Sequence, residues 1–187
     1  MSAKDIIIIV IVGVLIILAC YVIGIYNKLV NARNKVKNQF SQIDVQLKRR
    51  ADLIPNLVEV VKGYAKHESD TFKEVVEARN SAINAGSVND KIEANNQLTG
   101  ALNKLFALAE SYPELKANEN FLALQGDLKD TEDKITYARQ FYNDSAMNFN
   151  NIVQMFPSNI VAGVFGFKMF EYFKVSDEEK ETPKVKF

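Results

Sequence analysis

The side chains suited to catalysis or metal binding are few in this sequence, and none completes a recognised motif. His67 is the single histidine, and the pair His67-Glu68 continues as SDT, so the second histidine of a zinc-protease helix motif is missing. Neither a phosphate-binding glycine loop nor a G-x-S-x-G nucleophile elbow occurs. His67, Glu68 and Asp70 could bind a cation only weakly, because a lone histidine on a charged turn is usually solvated. We therefore expect no enzyme activity, no catalytic, cofactor-binding or metal site, and no small-molecule substrate.

Lys48, Arg49 and Arg50 are consecutive basic residues in a segment with a helical pattern. Successive residues of a helix point in different directions, so at least one of the three should meet a carboxylate such as Asp52 or a residue of a neighbouring helix. Intramolecular salt bridging is the plain interpretation. A recognition patch for an acidic partner or for anionic lipid is the alternative, although the distance from the membrane counts against lipid.

A second polar group lies further along the chain. Arg139 and Tyr142 are three residues apart and share a helix face, and Asn143 places an amide next to them. We predict that these three residues, together with Arg49 and Arg50, form a buried structural or interaction network rather than a ligand site.

The overall charge argues against nucleic acid as a partner. Lys plus Arg and Asp plus Glu number 23 each, so the chain lacks the basic excess that displaces phosphate counterions. Cys20 is the only cysteine, which excludes an intrachain disulfide and a multi-cysteine metal site.

The longest apolar segment of the sequence is the run at 6–26, which precedes all these residues except Cys20. Its length of roughly 20 uncharged residues is enough to span a bilayer as a helix. The run is too long for a cleaved signal peptide and continues past Cys20, so we predict a retained transmembrane helix. Ile17-Leu18-Ala19-Cys20 faintly resembles a lipobox, which leaves acylation of Cys20 as an alternative to simple packing of the thiol in the membrane.

Flanking charge gives an expectation for orientation. Only Lys4 precedes the span, whereas Lys28, Arg33, Lys35 and Lys37 follow it. The positive-inside rule therefore favours a single-pass membrane protein whose soluble part lies in the cytoplasm.

The remaining sequence predicts an all-α fold. No glycine or proline lies between Gly24 and Pro55, so the anchor should continue into a first helix that kinks or restarts at Pro55 and ends near Gly86. Two further long helices are expected at about 90–111 and 118–156, from their apolar spacing. We predict an N-terminal transmembrane helix continuing into an antiparallel bundle of three long helices and one short helix.

The stretch 160–173 has a different composition, rich in Phe and Gly. Its aromatic residues could close the bundle as a short fourth helix, form an oligomer contact, or lie on the membrane surface. The predicted apolar contact residues are Phe165, Phe167, Phe170 and Phe173. The predicted organisation is a tail at 1–5, the transmembrane helix at 6–26, the bundle at 27–173 and a disordered tail at 174–187.

Many short motifs, taken in order, resemble those of the LemA family of bacterial membrane proteins, over about residues 21–173. They are YNKLV at 26–30, QIDVQLKRR at 42–50, DLIPNLV at 52–58, VKGYA at 61–65, YPELKA at 112–117, ARQFYND at 138–144 and FPS at 156–158.

The resemblance implies one N-terminal transmembrane helix, a bundle of long helices and no established enzymatic activity. Roles suggested within the family include membrane-compartment formation, as in magnetosome-associated relatives, and envelope maintenance. We expect a non-enzymatic, membrane-anchored scaffold of the bacterial cell envelope that binds protein partners or further copies of itself. The alternative is a lipid-engaging membrane-remodelling or membrane-compartment biogenesis factor that acts through residues 160–173.

Overall fold

A computed structural model describes residues 2–173, and these residues form helices and connecting turns without any β-strand. The predicted tail at 174–187 and Met1 lie outside the described residues. The helices are α1 (Ala3–Tyr64), α2 (Ser69–Asn84), α3 (Val88–Ala109), α4 (Pro113–Lys116), α5 (Glu119–Gln154) and α6 (Ser158–Val164). The prediction of an all-α fold with a long apolar N-terminal helix and a bundle is confirmed.

Helix α1 carries the apolar run as its first part. It begins at Ala3, within the predicted N-terminal tail, and its apolar window has no residue buried inside the protein. Among residues 2–173 it is the one helix long and apolar enough to cross a membrane. An apolar stretch of this length with no buried residue fits a single-pass anchor, because water would be an unfavourable surrounding for it.

A kink or a restart was expected at Pro55, and the helix does not restart there, since α1 continues to Tyr64. A proline inside a helix lacks the N–H that would bond the carbonyl four residues earlier, which here belongs to Ala51. That carbonyl instead accepts a hydrogen bond of 2.7 Å from Nε of Arg79 on α2. The neighbouring helix thus satisfies the group that the proline leaves without its helical partner.

The first helix was expected to end near Gly86, and it ends earlier, at Tyr64. A turn at 65–68 reverses the chain, and α2 then runs back along α1. The turn contains Glu68, a charged residue that interrupts the apolar spacing of the sequence. The chain therefore turns once more than the apolar pattern suggested.

The chain divides into two compact units, to which α1 and α5 both contribute. The bundle unit comprises residues 40–140 with Phe173. In it, the end of α1, α2, α3 and the start of α5 alternate in direction. Their apolar side chains form one core, whose fully buried members include Ile54, Leu57, Val61, Val75 and Leu105.

The α3 N-terminus in this unit is closed by a capping box. Asp90 N–H donates to the Ser87 hydroxyl, and Ser87 N–H donates to the Asp90 carboxylate, at 3.1 Å each. These hydrogen bonds lower the pKa of Asp90. The serine and aspartate satisfy two N–H groups that the helix end would leave free.

The anchor unit comprises residues 2–39 with 141–172. Here α1 and the end of α5 bury Leu29, Val36 and Phe149 completely. After α6 the chain reverses at Gly166, whose φ of +69° is in the left-handed region that glycine adopts without strain. The N–H of Phe167 bonds the carbonyl of Ala162 at 2.9 Å, which closes the helix end and starts an extended strap at 167–172.

Candidate functional site

Arg50 is the centre of a buried polar network in the bundle unit. Its side chain is nearly inaccessible, with 4% of the residue exposed. Nη1 donates to Oδ1 of Asn95 at 2.7 Å and lies 2.9 Å from Oε2 of Glu132, while Nη2 donates to Oγ1 of Thr99 at 3.0 Å. One guanidinium thereby joins α1, α3 and α5.

The partners of Arg50 are themselves held in place. The hydroxyl of Thr99 donates to the carbonyl of Asn95 at 3.0 Å, which leaves its oxygen free to accept from Arg50. Burial lowers the pKa of Arg50, the carboxylate of Glu132 opposes that shift, and the nearby charge of Arg139 adds to it. Arginine still stays charged in proteins, so the network holds a buried cation with one counter-ion and two neutral acceptors.

The other two residues of the basic run have exposed partners. Lys48 lies 3.8 Å from Asp52 one turn further along α1, and Arg49 lies 3.7 Å from Asp127 on α5. Both side chains are largely in water, so each pair adds little to stability. The run of three basic residues therefore divides into one buried and two surface side chains.

Arg139, Tyr142 and Asn143 lie on α5, as their spacing suggested. The guanidinium carbon of Arg139 is 6.0 Å from the ring centroid of Phe173. Tyr142 is buried, and its hydroxyl donates to the carbonyl of Glu171 at 3.0 Å. Asn143 is partly buried. The network around Arg50 and the hydrogen bond of Tyr142 belong to different units.

The strap of the anchor unit is held by side chains of α5. Asn150 is buried, its amide nitrogen donates to the carbonyl of Phe170, and its amide oxygen accepts from the N–H of Phe170, both at 2.9 Å. This reciprocal pair satisfies both polar groups of one extended residue, as a neighbouring β-strand would. Tyr142 adds a third hydrogen bond one residue later.

The predicted apolar contact segment has two kinds of residue. Phe167 and Phe170 pack on Phe149 with ring centroids 6.3 and 5.1 Å away, and Arg33 lies 5.2 Å over the ring of Phe167. Phe165, in contrast, is about half exposed. In the bundle unit, Phe173 is buried and stacks near Phe40 at 6.3 Å.

A groove rimmed by lysines follows the outside of the α1–α2 hairpin and has a volume of about 560 Å³. We call it the lysine groove, and it is lined by Lys62, Lys66, Ser69, Phe72, Lys73, Val76 and Glu77. Lys62 lies 3.5 Å from Glu59 and Lys73 lies 3.7 Å from Asp70, all at the surface. The floor is apolar and the rim is mainly basic.

His67 is exposed in the turn between α1 and α2. Among residues 2–173, no three His, Cys, Asp or Glu side chains lie close enough together to hold a metal ion.

The partners of Arg50 on α3 were not predicted from the sequence. A signal was present, because Asn95 lies three residues before Leu98 and seven before Leu102, so a polar side chain occupies the apolar face of α3. The lysine groove was also missed, because its lysines come from both sides of a turn that was not predicted.

A family model described as the LemA family matches residues 39–187. Protein LemA of Metamycoplasma hominis is 28% identical over 162 residues, which cover 84% of this chain and 73% of the relative. Magnetosome protein MamQ of Magnetospirillum gryphiswaldense is 27% identical over 174 residues, covering 79% of this chain and 64% of the relative. The chain thus spans slightly less than two thirds of the length of that MamQ.

The family match begins at Gln39 and includes the whole bundle unit. It covers the buried network of Arg50, the turn at 65–68, the strap and the lysine groove. On the strength of this match over most of its length, the chain belongs to the LemA family.

Proposed function

We propose that the protein is a non-enzymatic scaffold, tethered to the bacterial inner membrane by α1, whose helical bundle binds other proteins. Family membership and the apolar helix support membrane association. The basic residues after the span support a cytoplasmic position of the bundle. The observation that carries the binding role is the lysine groove, an apolar trough with a basic rim on the outside of the bundle unit.

The groove fits an acidic amphipathic helix. Its apolar floor, provided by Phe72 and Val76, suits the apolar face of such a helix, and three lysines on the rim suit its acidic residues. The surface ion pairs that Lys62 and Lys73 now make are weak, so a partner's carboxylates can replace Glu59 and Asp70 at little cost. Basic and acidic surfaces also speed the encounter of two proteins.

Site-specific photo-crosslinking in living cells tests this role. A photoreactive amino acid replaces Val76 in the full-length chain, and a matched control carries it at Val45, which is exposed on the same unit outside the groove. We expect an adduct at position 76 that is absent at position 45. The captured protein should contain an acidic amphipathic helix, and Lys66→Glu with Lys73→Glu should abolish the adduct.

Three outcomes would contradict the proposal: the same adducts at both positions, an adduct that survives the charge reversal, or no adduct at either position. An adduct with a second copy of the chain would support self-association of the scaffold and would reject the acidic partner.

A second candidate function is membrane remodelling through residues 160–173. Ile160, Val164 and Phe165 favour it, because all three expose apolar side chains. Vesicles reconstituted with the full-length chain should then change shape in electron micrographs, and Phe165→Asp should suppress the change. Unchanged vesicles would remove this candidate.

A further inference from the structure

We propose that an apolar surface in the turn after α5 and along α6 sits in the lipid interface, beside the point where α1 leaves the membrane, and selects anionic lipids there. We call this surface the apolar collar. It consists of Met155, Phe156, Ile160, Val164 and Phe165.

The collar exposes large apolar side chains that the protein itself does not cover. Phe156 is 80% exposed and Val164 is 76% exposed, and the other three residues are each more than half exposed. Five such residues lie within eleven positions of the sequence, and exposed apolar surface of this kind usually marks a site of association. By contrast, Val161 and Ala162 of the same helix are buried.

The collar is continuous with the membrane anchor. Phe165 contacts Tyr26, the last residue of the predicted span, with ring centroids 4.8 Å apart and planes inclined at 58°. Tyr26 also lies 5.8 Å from Phe167 in an edge-to-face arrangement. Tyrosine is enriched where a transmembrane helix passes through the headgroups. A ring packed on Tyr26 therefore lies at that level too.

The charge of the same unit suits anionic headgroups. Residues 27–39 and 141–172 contain five basic side chains (Lys28, Arg33, Lys35, Lys37 and Lys168) and two acidic ones (Asp144 and Glu171), a net charge of +3. Lys28 follows the span directly, and Lys168 follows the collar. Both are exposed. Basic residues next to a membrane segment attract anionic lipid.

A lipid surface explains this arrangement better than a protein partner does. The patch begins at the anchor, whose position in the bilayer is set by its apolar length, so the bilayer is the nearest apolar medium. A protein covering the collar would itself have to lie in the headgroup region. This inference concerns where the collar sits, and it holds whether or not the lysine groove binds a partner.

The chain contains no tryptophan, so one introduced indole reports on one position. We suggest three full-length variants, Phe156→Trp, Val164→Trp and the control Phe141→Trp. Phe141 is exposed in the same unit and lies on α5, about 20 Å along the helix from its end at Gln154. Each variant is reconstituted into phosphatidylcholine vesicles that contain 20% phosphatidylglycerol, with bromine on the acyl chains of one of the two lipids.

We expect blue-shifted emission from the indoles at positions 156 and 164 and at least a twofold loss of their intensity with brominated lipid, with little change for the indole at position 141. Per mole of lipid, brominated phosphatidylglycerol should quench more strongly than brominated phosphatidylcholine. Lys28→Gln with Lys168→Gln should remove that difference.

Other outcomes would overturn the inference. Emission that is neither shifted nor quenched would place the collar in water. Shifted emission without quenching would mean that another protein, such as a second copy, covers the collar. Equal quenching by the two lipids would reject the selection of anionic lipid.

Discussion

The two units of this protein hold buried polar groups by different chemistry. In the bundle unit, one charged guanidinium joins three helices through a carboxylate, an amide and a hydroxyl. In the anchor unit, the neutral side chains of Tyr142 and Asn150 bond the backbone of the strap. Helices satisfy their own backbone and can be joined by side chains alone, whereas an extended segment needs partners for its N–H and C=O groups.

Substitution should destabilise the network around the buried charge more than the neutral hydrogen bonds to the strap. Removing one member of a buried ion pair leaves the other without compensation, which typically costs about 3–5 kcal/mol. We expect Arg50→Ala to lower the free energy of unfolding by about 3 kcal/mol, because Glu132 is partly exposed and can be rehydrated. Chemical denaturation of the full-length protein in detergent measures this.

Arg49→Ala is the matched control, since Arg49 is the adjacent residue and 45% of its side chain is exposed. Its effect should stay below about 1 kcal/mol. Equal effects of the two substitutions would show that burial of Arg50 does not matter for stability.

Loss of the neutral hydrogen bonds to the strap should loosen the structure locally rather than globally. Asn150→Leu leaves the N–H and the carbonyl of Phe170 without their partner, at a cost of about 1–3 kcal/mol. Hydrogen exchange should accelerate in the strap at 167–172 while α2 and α3 stay protected. Asn151→Ala, at an exposed neighbouring position, should change neither. Uniform acceleration throughout the chain would remove the distinction between local and global effects.

The hydrogen bond from Arg79 to the carbonyl of Ala51 is intermediate between these two kinds of interaction, because a charged side chain donates to a backbone acceptor. Arg79→Ala should cost about 1–2 kcal/mol in the natural chain. In a Pro55→Ala background, residue 55 regains the N–H that bonds this carbonyl, so the cost of Arg79→Ala should fall by at least half. A double-mutant cycle of unfolding free energies measures the coupling. Additive effects would show that the two residues act independently.

The smallest expected effect is that of pH on Tyr142. Burial, followed by the charge of Glu171, raises the pKa of its hydroxyl above the ordinary value of 10.0. Above pH 10 the unfolded state therefore loses this proton before the folded state does, and stability falls as pH rises further. Below pH 10 the contribution is fully present. Tyr142→Phe should flatten the stability profile above pH 10, and an unchanged slope would contradict this assignment.

The sequence predicted the features that depend on local pattern. The apolar run, a helix end near Gly86 and the two helices expected at about 90–111 and 118–156 could be read from composition, apolar spacing, glycine and proline. The turn at 65–68 could not, because it lacks proline and its apolar pattern continues on both sides. The roles of Arg79 and Asn150 depend on contacts between residues 20–28 positions apart, which periodicity does not encode.

Arg79 supplies the hydrogen bond to the Ala51 carbonyl that Pro55 cannot donate, and this dependence constrains the order in which substitutions can accumulate. Replacing Pro55 first restores the helical hydrogen bond, after which Arg79 can drift to other residue types with little loss. If Arg79 is replaced first, the intermediate chain has neither the Arg79 side chain nor an N–H at residue 55 to bond the Ala51 carbonyl. Of the two mutational paths that remove this pair, one is therefore nearly neutral and the other crosses a less stable intermediate.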